Sequence, residues 1–200
     1  MTRAAILDRD GTLIDVVRDE ETGTVTVAFH PDQVRILPGA LDGLRALQGA
    51  GFTLAIATNQ PAPAKGQFSA EAVRRTNDAL VARLAAEGIV VAAVEACLHH
   101  PEGGPGGDPA LARACDCRKP KPGLILTLLA RLGADASRSW MIGDGSSDVE
   151  AGRAARVKTA LVFPRNRCEL CPLRDGPSGL RPDVFAPTLS ELASAILQHA

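Results

Sequence analysis

The sequence has no excess of either charge: 22 Lys and Arg stand against 23 Asp and Glu, a formal net charge of −1. That leaves no electrostatic footprint for a polyanion, so no nucleic-acid partner is expected. Long apolar runs are missing as well. The first, Ala4-Ala5-Ile6-Leu7, is broken by Asp8, too short for a signal peptide or a membrane span. The expectation is a cytoplasmic protein with no membrane partner. Repeats are absent, and no shift in composition is sharp enough to mark a second domain. The 200 residues therefore read as one domain over 1–200, large enough to bury a core. With 46% hydrophobic and 22% charged residues the mix is that of an ordinary globular protein. Five cysteines in a reducing compartment point to metal ligation rather than disulfides.

What is present is organised around Ala4–Leu7 and the residues that follow, Asp8-Arg9-Asp10-Gly11-Thr12-Leu13. A short apolar run reads as a buried strand, and Gly11 permits a sharp turn after it. Asp8 and Asp10 are two apart and can converge above the strand end, where paired carboxylates suit a cation and one can act as nucleophile. A polar loop after an edge strand is the plain alternative. The polar stretch from Asp15 to Leu37, with Thr24-Val25-Thr26-Val27 alternating, predicts a small hairpin insertion that either contacts substrate or only decorates the surface. Leu41, Leu44 and Leu47 predict a helix after Pro38-Gly39. Phe52–Ala57 predicts a second strand ending in Thr58-Asn59-Gln60. Thr58 there suits a phosphate oxygen, or equally a turn or helix cap. Ser69 caps a helix over about 70–87 that stops at Gly88, and Val90 to Leu98 is a third strand. Strand and helix in alternation predict a parallel α/β sheet covered on both faces.

Cys97-x-His99 and Cys115-x-Cys117 bracket a Gly/Pro-rich loop over about 97–117. Four soft ligands suit a tetrahedral zinc that staples a segment unable to pack a core of its own; free buried cysteines are the alternative. Arg118 and Lys119 follow directly and are suited to a phosphoryl group, or to a solvated basic turn. Pro122 opens a helix through Leu124, Leu128, Leu129 and Leu132. Ser139–Gly143 is a fourth strand running into Asp144, with Asp148 in the first turn of the next helix. Thr159 to Phe163 is a fifth strand, and Thr188-x-x-Glu191 caps a last helix ending near Gln198.

Asp8-Arg9-Asp10-Gly11-Thr12, Thr58, Lys119 and Gly143-Asp144 with Asp148 resemble, in that order, the four motifs of the haloacid dehalogenase superfamily of phosphohydrolases. The match spans roughly Ala4 to Ala160. The cysteine loop followed by Arg-Lys-Pro is similar to that of the heptose-1,7-bisphosphate phosphatase branch, which the histidinol-phosphate phosphatases share in part. The resemblance implies a Rossmann-like parallel sheet with helices on both faces, no large cap domain and a zinc-stapled loop. It implies Asp8 as nucleophile, through an aspartyl-phosphate, and Asp10 as acid and base. Magnesium would be held by Asp8, the Asp10 carbonyl and Asp144, supported by Asp148. Thr58, Asn59, Gln60, Lys65, Arg118 and Lys119 would contact substrate. Cys97, His99, Cys115 and Cys117 would bind structural zinc. The implied substrate is a small phosphorylated sugar, the C7 phosphate of heptose 1,7-bisphosphate, and the implied protein a monomer.

Three departures from the family pattern bear on the substrate rather than the reaction. Pro61-Ala62-Pro63-Ala64-Lys65-Gly66 stands where the family reads Ser-Gly-x-Ala-Arg-Gly, Gly145 replaces a basic residue, and Cys168-x-x-Cys171 has no counterpart. Histidinol-phosphate hydrolysis is the alternative activity, with Glu20 and Glu21 to meet an amine. A DNA 3′-phosphatase would need a basic surface. A non-enzymatic zinc-stabilised binding module would have no use for Asp8, Asp10, Lys119 and Asp144 together.

Overall fold

The computed structural model describes residues 2–163 and 181–199. Its centre is strand β1 (Arg3–Leu7), whose alternating side chains reach two different cores. β4 (Phe52–Asn59) and β5 (Val91–Cys97) lie to one side of it, and β6 (Trp140–Gly143), β7 (Lys158–Val162) and β8 (Val184–Ala186) to the other. The sheet order is β5-β4-β1-β6-β7-β8, and every pairing is parallel. The chain thus reverses its direction of winding at β1 and β6. In an open α/β sheet the crevice beyond the carboxyl ends at such a point is where ligands bind. A separate antiparallel pair, β2 (Val17–Arg18) and β3 (Val25–Thr26), forms the expected hairpin insertion.

Period-two alternation sends Ala5 and Leu7 to one face and Ala4 and Ile6 to the other. The first face is covered by α1 (Ala40–Gly49), α2 (Ala70–Ala86) and α5 (Leu189–Gln198), through Leu44, Leu47, Leu80, Leu84, Leu192 and Ile196. The second is covered by α3 (Gly123–Leu132) and α4 (Ser146–Ala154), through Leu124, Ile125, Leu128 and Ala151. Ser69 caps α2 by accepting from the Ala72 N–H at 3.1 Å, and Thr188 caps α5 by accepting from the Glu191 N–H at 3.2 Å.

Several boundaries differ from the sequence expectation: β4 runs on to Asn59, β5 is Val91–Cys97 rather than 90–98, and β6 begins at Trp140 rather than Ser139. β7 begins at Lys158 rather than Thr159, and α3 begins at Gly123 with Pro122 as its N-cap. Strand β8, only three residues long, was not anticipated; it completes the sheet edge beside β7. Among the described residues no helix is long and apolar enough to cross a membrane. Cys168 and Cys171 lie outside the described residues.

Candidate active site

β1 ends at Leu7, and the Asp8 N–H is tied to the Ile142 carbonyl at 2.8 Å, so the acidic segment starts from a fixed point. The chain then turns tightly, the N–H groups of Leu13 and Ile14 both donating to the Arg9 carbonyl. Gly11 sits at φ +79°, where a Cβ would lie 2.0 Å from Asp144 Oδ2. Only glycine lets the turn approach the carboxylate that β6 delivers. Asp148 comes from the first turn of α4, where its Oδ2 accepts from the Gly145 N–H at 3.1 Å. Carboxylate oxygens of Asp8, Asp144 and Asp148 lie within 4.8 Å of one another.

Lys119 is the counter-charge. Only 3% exposed, its Nζ is 2.8 Å from Asp8 Oδ1 and 2.6 Å from Asp148 Oδ1, and it donates to the Ala57 carbonyl at 2.8 Å. Burial works against its charge, but Asp8 and Asp148 more than offset this and hold the ammonium above its ordinary range. One ammonium cannot balance three carboxylates. Burial first, then the charges of Asp8 and Asp148, push Asp144 up to about 7, against the pull of Lys119. Burial likewise raises Asp148. A compact set of oxygen donors with excess negative charge fits a hard divalent cation.

Asp10 stands beside this centre with its own partners. Gln60 Nε2 donates to Asp10 Oδ2 at 2.6 Å and to Thr58 Oγ1 at 2.9 Å. Arg9 donates to both carboxylate oxygens at 3.1 Å. Burial raises the Asp10 carboxyl above its usual range, and Arg9 opposes the rise. Thr58 is buried at the end of β4. The Asn59 amide is occupied by Lys119, donating to its carbonyl at 2.9 Å and accepting from its N–H at 3.0 Å. Two side chains expected on the substrate therefore meet protein partners here. Asn59 clamps the backbone that carries Lys119, and Gln60 braces Asp10.

The cysteine loop closes as its spacing suggests. Cys97 and Cys117 sulfurs are 3.0 Å apart, Cys115 lies 3.6 Å from Cys97 and 3.3 Å from Cys117, and His99 Nδ1 is 3.3 Å from Cys117. Burial and the two neighbouring sulfurs push the Cys117 thiol well up, and burial raises Cys97 too. Four soft donors around one point fit a tetrahedral zinc.

This loop is also locked to the segment after β4. A Cβ on Gly107 would lie 1.9 Å from the Ala64 carbonyl, and one on Gly66 would lie 2.2 Å from the Pro105 carbonyl. The Asp108 N–H donates to the Pro63 carbonyl at 3.0 Å. Lys65, half-buried, belongs to this seam. Above it, Phe29 of the hairpin insertion stacks on Phe68 with ring centroids 3.8 Å apart. A cavity of about 290 Å³ is lined by Arg113, Cys115, Arg118, Lys119 and Lys121, among others. Arg118 Nη1 is buried without a hydrogen-bond partner.

The HAD-hydrolase-like family model matches residues 116–192. Among curated relatives, the D-glycero-beta-D-manno-heptose-1,7-bisphosphate 7-phosphatase of Pasteurella multocida is 33% identical over 162 residues, covering 81% of this chain and 82% of the relative. The protein of the same name from Pseudomonas aeruginosa is 33% identical over 195 residues, covering 96% and 97%. The crystal structure of D,D-heptose 1,7-bisphosphate phosphatase from B. bronchiseptica, complexed with magnesium and phosphate, superposes with a TM-score of 0.78 at 29% identity over all of both chains. Identity at this level over nearly the whole length, on the same sheet, places the chain in the haloacid dehalogenase superfamily, in the branch of the heptose bisphosphate phosphatases.

Proposed function

We propose that the protein is a magnesium-dependent phosphatase that removes the C7 phosphate of D-glycero-D-manno-heptose 1,7-bisphosphate through an aspartyl-phosphate on Asp8. The observation that carries the reaction is the position of Lys119. It occupies Asp8 Oδ1 at 2.8 Å, which leaves the other oxygen as the nucleophile. That oxygen attacks phosphorus as the bond to the sugar oxygen breaks, and Asp10 gives its proton to the leaving oxygen. Asp10 then takes a proton from water, which attacks phosphorus, frees Asp8 and releases phosphate. Thr58 and Lys119 face the phosphoryl group from the ends of β4 and the cysteine loop. Asp8, Asp144 and the Asp10 carbonyl would hold the magnesium, with Asp148 in support. The ion supplies the positive charge that cancels repulsion between a carboxylate nucleophile and an anionic phosphate.

The choice of substrate rests on Arg118 in the cavity beside Lys119. Arg118 with its unpartnered Nη1 suits a second anionic group on the substrate and repels the amine of histidinol phosphate, whereas Arg113 is engaged with His99 Nε2 at 3.0 Å and Lys121 with Asp116 at 3.1 Å. Glu20 and Glu21, which would have met that amine, are exposed in the hairpin insertion. Cys97, His99, Cys115 and Cys117 would hold a structural zinc that fixes the segment leading into Arg118 and Lys119. The whole chain acts as a single domain, as a monomer in the cytoplasm, with no nucleic-acid or membrane partner. Phosphate release with magnesium, from heptose 1,7-bisphosphate and from histidinol phosphate, tests the reading. Strong preference for the bisphosphate, lost in Asp8→Asn, is expected. Preference for histidinol phosphate would overturn the substrate and keep the reaction.

A further inference from the structure

Arg9 separates the two aspartates of the site and is completely buried, at 0% exposure. A buried guanidinium is costly unless its donors are satisfied. Four of its five N–H groups are directed at named acceptors. Nε and Nη2 fork onto Asp10 Oδ2 and Oδ1, both at 3.1 Å. Nη2 also donates to the Ala28 carbonyl at 2.9 Å, and Nη1 to Asn77 Oδ1 at 2.7 Å. Asn77 lies on the buried face of α2, at 8% exposure, so the far end of the guanidinium is anchored in a helix. Ala28 belongs to the insertion, at a point where the chain is itself buried. With Gln60 at 2.6 Å on Oδ2, both oxygens of Asp10 are gripped from the protein side.

We propose that Arg9, anchored by Asn77, is a positioning residue that fixes the rotamer of Asp10 for proton transfer to the leaving oxygen. The proposal rests on the reading of Asp10 as acid and base. The Asp10 side chain is only 11% exposed and the Asp8 charge beside it repels its ionised form, so the donors that grip its two oxygens set its orientation. A planar fork sets angle as well as distance, which a lysine at this position cannot do. A proton donor misplaced by about 1 Å loses on the order of 10²-fold in rate. The loss falls on substrates whose leaving oxygen needs the proton, and spares those whose leaving group departs as an anion.

The test compares kcat/KM for a sugar phosphate with that for p-nitrophenyl phosphate in Arg9→Met, Arg9→Lys, Asn77→Ala and Asp10→Asn. Arg9→Met should lower kcat/KM for the sugar phosphate by about 10²-fold or more, and that for p-nitrophenyl phosphate by less than about fivefold. Asn77→Ala should show the same split at about tenfold, and Arg9→Lys should recover only part of the loss. Equal losses on both substrates, or none, would overturn the positioning role. If circular dichroism shows Arg9→Met unfolded, Asn77→Ala decides by the same criterion. Asp10→Asn separates the two claims. Absence of a split there counts against Asp10 as the acid, whereas a split there without one in the Arg9 and Asn77 variants overturns only the inference about Arg9.

Discussion

Asp144 gives the most quantitative handle on the metal. Burial and the neighbouring charges of Asp8 and Asp148 move its carboxyl from an ordinary 3.8 to about 7. Between those values the folded protein keeps a proton that the unfolded chain has lost. The metal-free protein should therefore lose stability as pH rises from about 4 to about 7, then level off. Felt in full, the gap corresponds to about 4 kcal/mol, an upper figure because Asp144 is not fully enclosed. Burial raises Asp10 and Asp148 in the same direction, so they add to the trend. A divalent cation needs the carboxylate and must displace that proton. At pH 6 about 0.9 proton should leave Asp144 for each magnesium bound, and at pH 8 about 0.1. Apparent magnesium affinity should fall about fivefold between pH 7 and pH 6 beyond any effect seen in Asp144→Asn. Titration calorimetry in two buffers of different ionisation enthalpy measures the proton count directly. Proton release near zero at pH 6, or equal at pH 6 and pH 8, would refute the account of this cluster.

Other consequences follow from close contacts. Gly11→Ala places a Cβ 2.0 Å from Asp144 Oδ2 at φ +79°. Left-handed backbone alone costs about 1–2 kcal/mol, and the displaced carboxylate should raise the magnesium concentration for half-maximal activity at least about tenfold; an unchanged magnesium titration would contradict this. Gly107→Ala drives a Cβ to 1.9 Å from the Ala64 carbonyl, so KM should rise more than kcat falls, and the reverse pattern would show that the seam does not shape the substrate side. Cys117→Ser should abolish one zinc per chain by elemental analysis and open residues 98–118 to limited proteolysis, whereas a wild-type protein without zinc would remove the staple.

Much of the fold is legible because the signals are local. Ala4–Leu7 stops abruptly at Asp8, Ser69 and Thr188 announce helices, and apolar residues recur at helical spacing in α1 and α3. β8 is not legible, since three residues carry no periodicity and its pairing with β7 is a tertiary fact. The acidic centre is legible because each member sits at a strand end or a first helical turn, where side-chain direction follows from the backbone. Asn59 and Gln60 show where this reasoning stops. An amide at a strand end has the same sequence whether it meets a phosphate oxygen or a neighbouring chain segment, and here Lys119 and Asp10 supply the partners. Arg9 carries no local signal of what it holds. Its role depends on Asn77, 68 residues away, which no motif marks.

The central claim, that Asp8 carries the phosphoryl group, is open to direct chemical capture. The enzyme is mixed with magnesium and saturating sugar phosphate, quenched in acid, reduced with borohydride and digested for mass spectrometry. Reduction of an aspartyl-phosphate should leave homoserine at position 8, only when substrate is present and not in Asp8→Asn. Homoserine at position 144 or 148, or none anywhere while phosphate is released, would contradict the account.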